Sequence, residues 1–407
     1  MKRFLTLAAF ALIVGVGIFI AWMNTGGGAA VELSDDEMAA ARESGAGAQA
    51  IVIELSESQA AATVEGATGP EEASAAAEPL IPRLEDLKTV TDRARLERWA
   101  VRTRAAREAS AGDERLLLTV LLAEIERLRG NVAEARALAT EGAKGLPSNS
   151  RARQVNAATI MTEIVTEAGD GGMGAVLKNL PKVKTYKAEL RAAVELDPAN
   201  ADARVAEIIV LAFAPFPVGS KKKAQGLIEE LGPHDEFRRD FWRAMLVSVD
   251  EKRGEEALEA FRALEAEKPG DPDVLFTIGD LLGKLDRWSE AVEVFDSLLA
   301  EPLTRQGYNA LYQAAKARER IDLELDEALA LLERFERDDP VGELMPSMDR
   351  VHYHKGRVLE KLGRLQEARA SYLVAEGIKP GEKRVADGLA RVDAALAARS
   401  AGAEGEG

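Results

Sequence analysis

The sequence predicts an all-α fold made of successive helix hairpins, preceded by an apolar membrane-length stretch and an acidic linker. Three observations predict it. Apolar residues form 46% of the 407-residue chain while aromatics form 5%, and alanine and leucine dominate, which favours helices over sheets. Small residues, aromatics and prolines recur at matching offsets in the second half, the mark of an internal repeat. The first 23 residues carry two cations and then no charge from Phe4 to Met23.

At ~1.5 Å rise per residue that uncharged run just spans a hydrocarbon layer of ~30 Å. Residues 1–23 therefore read as a transmembrane anchor or, with Gly28 and Ala30 meeting a small-residue cleavage rule, as a signal sequence. Lys2 and Arg3 place the N-terminus in the cytoplasm and the bulk of the chain beyond the membrane, in the periplasm if the source is a diderm bacterium. An exported soluble protein is the alternative.

Residues 24–82 form an acidic tether rich in Ala, Gly and Glu, expected to be disordered because it has little apolar surface to offset its ordering entropy. It holds eleven Asp and Glu residues against Arg42 alone, more than half of the chain's net charge of −16. Ile51, Val52, Ile53 and Leu55 are either a short binding segment or stray apolar residues. Residues 83–400 form the repeat domain, and 401–407 a disordered tail.

Within the repeat domain the stretch from Pro272 sets the pattern. Gly279 stands at its eighth place, and Ala291, Phe295 and Pro302 follow. A unit around Ser347 gives Gly356, Ala368, Tyr372 and Pro380 at nearly the same offsets. Ala257, Phe261 and Pro269 mark a third, and Ala328, Phe335 and Pro340 a fourth. Ala257 and Ala291 are 34 residues apart. This pattern resembles the tetratricopeptide repeat. The resemblance implies a right-handed superhelical solenoid of antiparallel helix pairs. Gly279 and Ala291 would let two backbones approach, Phe295 would fill the gap to the next unit, and proline would stop the second helix.

The match is firm over 238–380 and looser over 112–237. There Ala123, Ala135, Ala139, Leu190, Ala193, Ala224 and Ile228 mark weaker units, interrupted by loops at Gly169–Gly174 and Ala214–Lys223. Val385, Leu389, Val392 and Leu396 form one stripe, as a capping helix requires.

Composition excludes several functions. A net charge of −16 argues against general nucleic-acid binding, and the absence of cysteine removes disulfides and thiolate sites. GDGGMG lacks the Lys-Ser/Thr of a phosphate loop, and VGSKKKA lacks its leading glycine spacing. His352 and His354 are two apart, a spacing that faces them different ways on a helix, and His234 stands alone. Acidic pairs such as Glu255/Glu256 and Asp338/Asp339 single out no acid–base couple. No enzyme activity, cofactor or metal is expected.

The resemblance also implies a concave groove lined by the second, fifth, ninth, twelfth and thirteenth places of each first helix. The fifth place gives Trp242, Phe276, Tyr312 and Tyr353. The second gives Arg239 and Arg350, the ninth Lys316 and Arg357, and the thirteenth Lys284, Arg320 and Lys361. Asp280 at a ninth place and the aromatic fifth places depart from the family's carboxylate-clamp pattern. The expected function is a non-catalytic, membrane-tethered scaffold or adaptor that binds a peptide segment or helix of an envelope protein in this groove. The alternatives are a self-associating homo-oligomer and a groove occupied by the chain's own acidic tether.

Overall fold

The computed structural model describes residues 81–168, 179–214, 218–342 and 345–404. The apolar stretch 1–23, the tether up to residue 80 and the Gly169–Gly174 loop lie outside them. The described residues form sixteen α-helices and two short 3-10 turns, with no strand among them. None of the described helices is long and apolar enough to cross a membrane. They belong to two compact bodies. The first runs to Val210 and takes in Ala214 and Val218; the second takes Leu211–Phe213 and everything from Gly219.

In the first body, α1 (Arg93–Ala109), α2 (Gly112–Leu128), α3 (Val132–Gly145), α4 (Ser150–Ala168), α5 (Leu180–Leu196) and most of α6 (Ala201–Phe213) follow one another. Side chains that accept from free backbone N–H groups start them: Asp92 bonds Arg95 N, and Asn200 bonds Ala203 N. Ala123, Ala135 and Ala139 are buried at the seam of α2 and α3. A Cβ on Gly142 would sit 2.5 Å from Val120 Cγ2, so only glycine lets these helices meet there.

From Leu118 to Arg127, α2 is buried on every side. Polar residues inside such a helix must find partners within the protein. Glu124 pairs with Arg127 at 2.5 Å, and Glu126, fully buried, accepts from Arg104 at 2.7 Å, Arg129 at 2.6 Å and Asn131 at 2.6 Å.

The second body contains α7 (Lys221–Glu229), α8 (Glu236–Ser248), α9 (Gly254–Glu267), α10 (Pro272–Lys284) and α11 (Trp288–Ser297). It continues through α12 (Arg305–Ile321), α13 (Leu325–Asp338), α14 (Met348–Lys361), α15 (Leu365–Ile378) and α16 (Lys383–Glu404). Each packs on the next. In addition α10 touches α12, α12 touches α14 and α14 touches α16, so the first helices of the pairs form a layer of their own. Lys221, Lys222 and Lys223, expected in a loop, open α7 behind the N-cap Ser220, whose hydroxyl accepts from Lys223 N. Second helices stop just short of proline: α9 at Glu267 before Pro269, α13 at Asp338 before Pro340 and α15 at Ile378 before Pro380.

The repeat residues are core residues. Ala257, Phe261, Ala291, Ala328, Phe335, Ala368 and Tyr372 are all buried. Phe295 packs into its own hairpin. Its ring lies where a Cβ of Gly279 would be, 2.5 Å from that point, within its own hairpin. Gly279 is small to receive a ring. Tyr372 does both tasks, since its ring crowds the Cβ positions of Gly356 in its own pair at 2.7 Å and of Gly388 in α16 at 2.8 Å. Along α16, Val385 and Val392 are buried, and Leu389 and Leu396 half-buried, against an otherwise polar surface. This helix runs on to Glu404, past the expected domain end at 400.

Candidate functional site

The layer α10–α12–α14–α16 gathers most of the residues expected to line a groove. Two of the four aromatic places do not serve as expected. Trp242 is 1% exposed and packs edge-on against Phe241, which itself meets Phe261. It belongs to the core of α8 and α9. Tyr312 is 7% exposed, its ring edge-on to His354, and burial pushes its hydroxyl up to about 12. Phe276 and Tyr353 remain half-buried. Tyr353 carries the guanidinium of Arg384, from α16, over its face at 5.0 Å.

The cations divide into two sets. Arg239 is held by Asp240 at 2.8 Å, the main cause of its raised proton affinity. Lys284 pairs with Asp280 at 2.5 Å. Arg357 reaches Glu319 at 2.8 Å, and Lys361 reaches Asp322 at 2.7 Å as well as Glu319 at 3.4 Å. Lys316, Arg320 and Arg350 have no such partner. Among the described residues no carboxylate lies within ion-pair distance of them, and the Lys316 ammonium finds only Gln313 Oε1 at 3.4 Å. Burial lowers the Lys316 proton affinity, and the charges of Arg350 and Lys284 press in the same direction; Asp280 and Glu319 oppose them.

Glu319 is the organising residue that a reading of the second, fifth, ninth and thirteenth places passed over. It is 3% exposed on α12 and draws in His354 Nδ1 at 3.2 Å, Arg357 and Lys361 from α14. Burial alone would push its carboxyl up. His354, Arg357 and Lys361 outweigh that and hold it below the usual carboxylate range. Burial lowers the His354 proton affinity despite Glu319, so the neutral ring donates from Nδ1, because an ionised carboxylate only accepts. Glu319 stands at the twelfth place of its unit, and so does Glu360 in the next. That place was legible as groove-lining.

Glu360 closes the far end. It accepts from Arg391 at 2.9 and 3.0 Å and from the Tyr372 hydroxyl at 2.9 Å. With Arg357, Lys361 and Arg391 it lines a cavity of about 400 Å³ between α14 and α16. Ninth, twelfth and thirteenth places thus meet around one recess.

Known proteins place this geometry. Residues 248–319 and 323–383 match models of the tetratricopeptide repeat, and over those stretches the chain carries tetratricopeptide repeats. Among solved structures, Tom70 from yeast is similar with a TM-score of 0.50 at 12% identity, over 72% of this chain and 65% of that one. A tetratricopeptide repeat protein from Parabacteroides merdae gives 0.39 at 13% identity, over 74% of this chain and 93% of its own. PilW, described as a widely conserved type IV pilus biogenesis factor, gives 0.40 at 15%, over 52% and 93%. At these identities the likeness concerns the fold alone. No curated protein matches the chain in sequence. Tetratricopeptide repeats in general mediate protein–protein interaction without catalysis, and no enzyme family matches.

Proposed function

We propose that the chain is a membrane-tethered, non-catalytic scaffold that holds a peptide segment or helix of an envelope protein against the face formed by α10, α12 and α14. The supporting observation is the composition of that face. Half-buried Phe276 and Tyr353 offer rigid contact area at low entropic cost. Beside them stand cations that the fold has left without counter-ions. A packing surface would have neutralised or excluded them.

Tethering rests on the sequence. Lys2 and Arg3 hold the N-terminus in the cytoplasm, Phe4 to Met23 span the bilayer, and the repeat body works outside it. A tether of some sixty residues has a root-mean-square reach of about 40–45 Å, at ~5–6 Å × √n.

The test is site-specific photo-crosslinking of the full chain in membranes. The crosslinking residue replaces Tyr353 on α14 in one preparation and exposed Glu259 on α9 in another. Adducts to a foreign polypeptide at position 353 but not at 259 support the groove. Equal adducts at both positions, or none at 353, overturn it. A product of twice the chain's mass identifies self-association instead.

A further inference from the structure

We propose that the face of α1 opposite its packing on α2 is a docking surface, and that its occupant is residues 51–57 of the chain's own acidic tether. This surface lies in the first body and the groove in the second, so the inference stands independently of the peptide reading above. Helix α1 carries six arginines against Glu97 and Glu108. Two of them turn to carboxylates of the fold: Arg104 meets Glu126 at 2.7 Å and Glu134 at 2.9 Å, and Arg107 meets Glu141 at 3.0 Å. Arg95 lies over the Trp99 ring at 4.7 Å. Arg93 and Arg98 are exposed, and Arg102 is half-buried.

The outward side of α1 is unusual for a helix in water. Leu96, Trp99, Ala100 and Thr103 are buried where the helix packs. On the opposite side Ala94, Arg98, Val101 and Ala105 recur at steps of four, three and four, and all are exposed, Val101 to 65%. Long polar side chains normally line such a stripe. Here small and apolar ones do, with a cation on the stripe and others along its edges. A shallow apolar strip edged by cations fits a segment that carries both branched side chains and carboxylates.

The tether supplies one. It is opposite in sign to α1, with eleven Asp and Glu residues against Arg42, and it joins α1 through residues 81–92. Ile51, Val52, Ile53 and Leu55 are its densest group of large apolar residues. Laid out as a strand, Ile51, Ile53 and Leu55 fall on one side over about 13 Å, against about 16 Å from Ala94 to Ala105 along the helix. Glu57 follows on that same side, where an arginine of the stripe can meet it. Reach is no obstacle. Residues 58–80 have a root-mean-square span of about 24–29 Å, at ~5–6 Å × √n, and α1 is about 25 Å long. Such a linker presents its segment at an effective concentration of about 1 mM, so a contact with a Kd of about 1 mM is about half occupied. Docking leaves residues 24–50 as the free part of the tether, which shortens its reach from about 40–45 Å to about 26–31 Å. Salt weakens the contact, since exposed charges are screened over about 8 Å at physiological ionic strength.

The experiment places a photo-crosslinking residue at exposed Val101 in the full chain, bound to vesicles that contain anionic lipid. Mass spectrometry maps the adducts. The expected adducts lie within the same chain, at residues 51–57. Ile51→Ser together with Ile53→Ser should lower their yield about fivefold, as weakening a half-occupied contact about tenfold does. Glu57→Lys should act in the same direction. Adding Arg98→Glu or Arg102→Glu to Glu57→Lys should restore the yield, the choice depending on the direction in which the segment runs. Each variant is first checked for unchanged helicity and melting, and the tether variants decide the matter even where an arginine change disturbs α1.

Adducts spread along the tether and unmoved by the Ile51 and Ile53 changes would reduce the contact to attraction of net charge and overturn the site. Adducts to lipid would assign the face to the membrane surface, and adducts of twice the chain's mass would assign it to a second copy; either result overturns it. So does a yield that neither arginine change restores, and so does the absence of any adduct beyond α1 and α2. The groove reading survives every one of these outcomes.

Discussion

Glu126 in the first body and Arg305 in the second are both charged residues almost entirely removed from water, and they are treated in opposite ways. Glu126 accepts from Arg104, Arg129 and Asn131. Arg305, at the start of α12, is 4% exposed; its Nε bonds Gln306 Oε1 at 3.3 Å, and both Nη atoms lack a partner among the described residues. Burial lowers its proton affinity to about 10. The first body surrounds its buried carboxylate with donors, although Arg129 Nε in that network has no partner among the described residues. The second carries charge that its own packing does not satisfy, at Arg305 and again at Lys316 and Arg350. Stability alone explains the first pattern and not the second.

The comparison breaks first at Glu126. Replacing it with leucine takes one carboxylate from Arg104 and Arg129, which keep Glu134 and Glu97 respectively, and leaves the Asn131 amide without its acceptor, a loss of about 1–3 kcal/mol. Urea unfolding of the full chain should show that loss in the transition of the first body, and a loss below 1 kcal/mol would mean that the network is ornamental. At Arg305 the sign reverses. Removing a buried charge that has no ion pair among the described residues and only the nearby charge of Asp273 to favour it, as in Arg305→Met, should raise stability by about 1–4 kcal/mol. A destabilised variant would show that the guanidinium is satisfied in solution.

The glycines sharpen the point that repeat spacing is packing. A methyl at Gly279 would lie 2.5 Å from the Phe295 ring, and one at Gly356 would lie 2.7 Å from Tyr372. Neither ring has room to retreat inside a buried hairpin, so each alanine variant should lose about 1–3 kcal/mol through overpacking. Gly377, with open space around its Cβ position, is the control. On α15, Gly377→Ala should be neutral or slightly stabilising.

These contrasts also show how far the sequence could be read. Hairpins, their ending prolines and their small-residue seams follow from short-range rules, so Ala257, Ala291, Phe295 and Tyr372 were found from spacing. That the Phe295 ring occupies the space left by Gly279 was not, because only the neighbouring volumes decide what a ring fills. Fifth-place aromatics looked equivalent in sequence, yet Trp242 is buried edge-on against Phe241 while Tyr353 stays half-buried. The apparent basic stripe was a count of cations without their partners. Pairing depends on residues one helix away, such as Glu319 for Arg357 and Asp296 for Arg318. The twelfth place alone would have revealed Glu319 and Glu360.

Acid gives the finest test, because it loads the groove network one proton at a time. His354 titrates lower in the folded chain than its free value of 6.5, so the unfolded chain binds the proton first. Its contribution to stability is full above pH 6.5 and is lost as pH falls towards the lowered folded value. Lys316 and Arg357 oppose protonation of that ring, and Glu319 favours it. Glu319 repeats the pattern lower down. Its carboxyl is held below 4.5, so stability present above that pH disappears as pH falls further. Each group adds a slope of at most about 1.4 kcal/mol per pH unit within its own window. His354→Phe should reduce the upper window, which His352, also lowered by burial, shares, and should shrink the lower one because Glu319 loses a partner, seen as a flatter dependence of the second body's urea midpoint between pH 7 and pH 5. An unchanged slope in that variant would mean that the ring is already solvated, and that Glu319 is held by Arg357 and Lys361 alone.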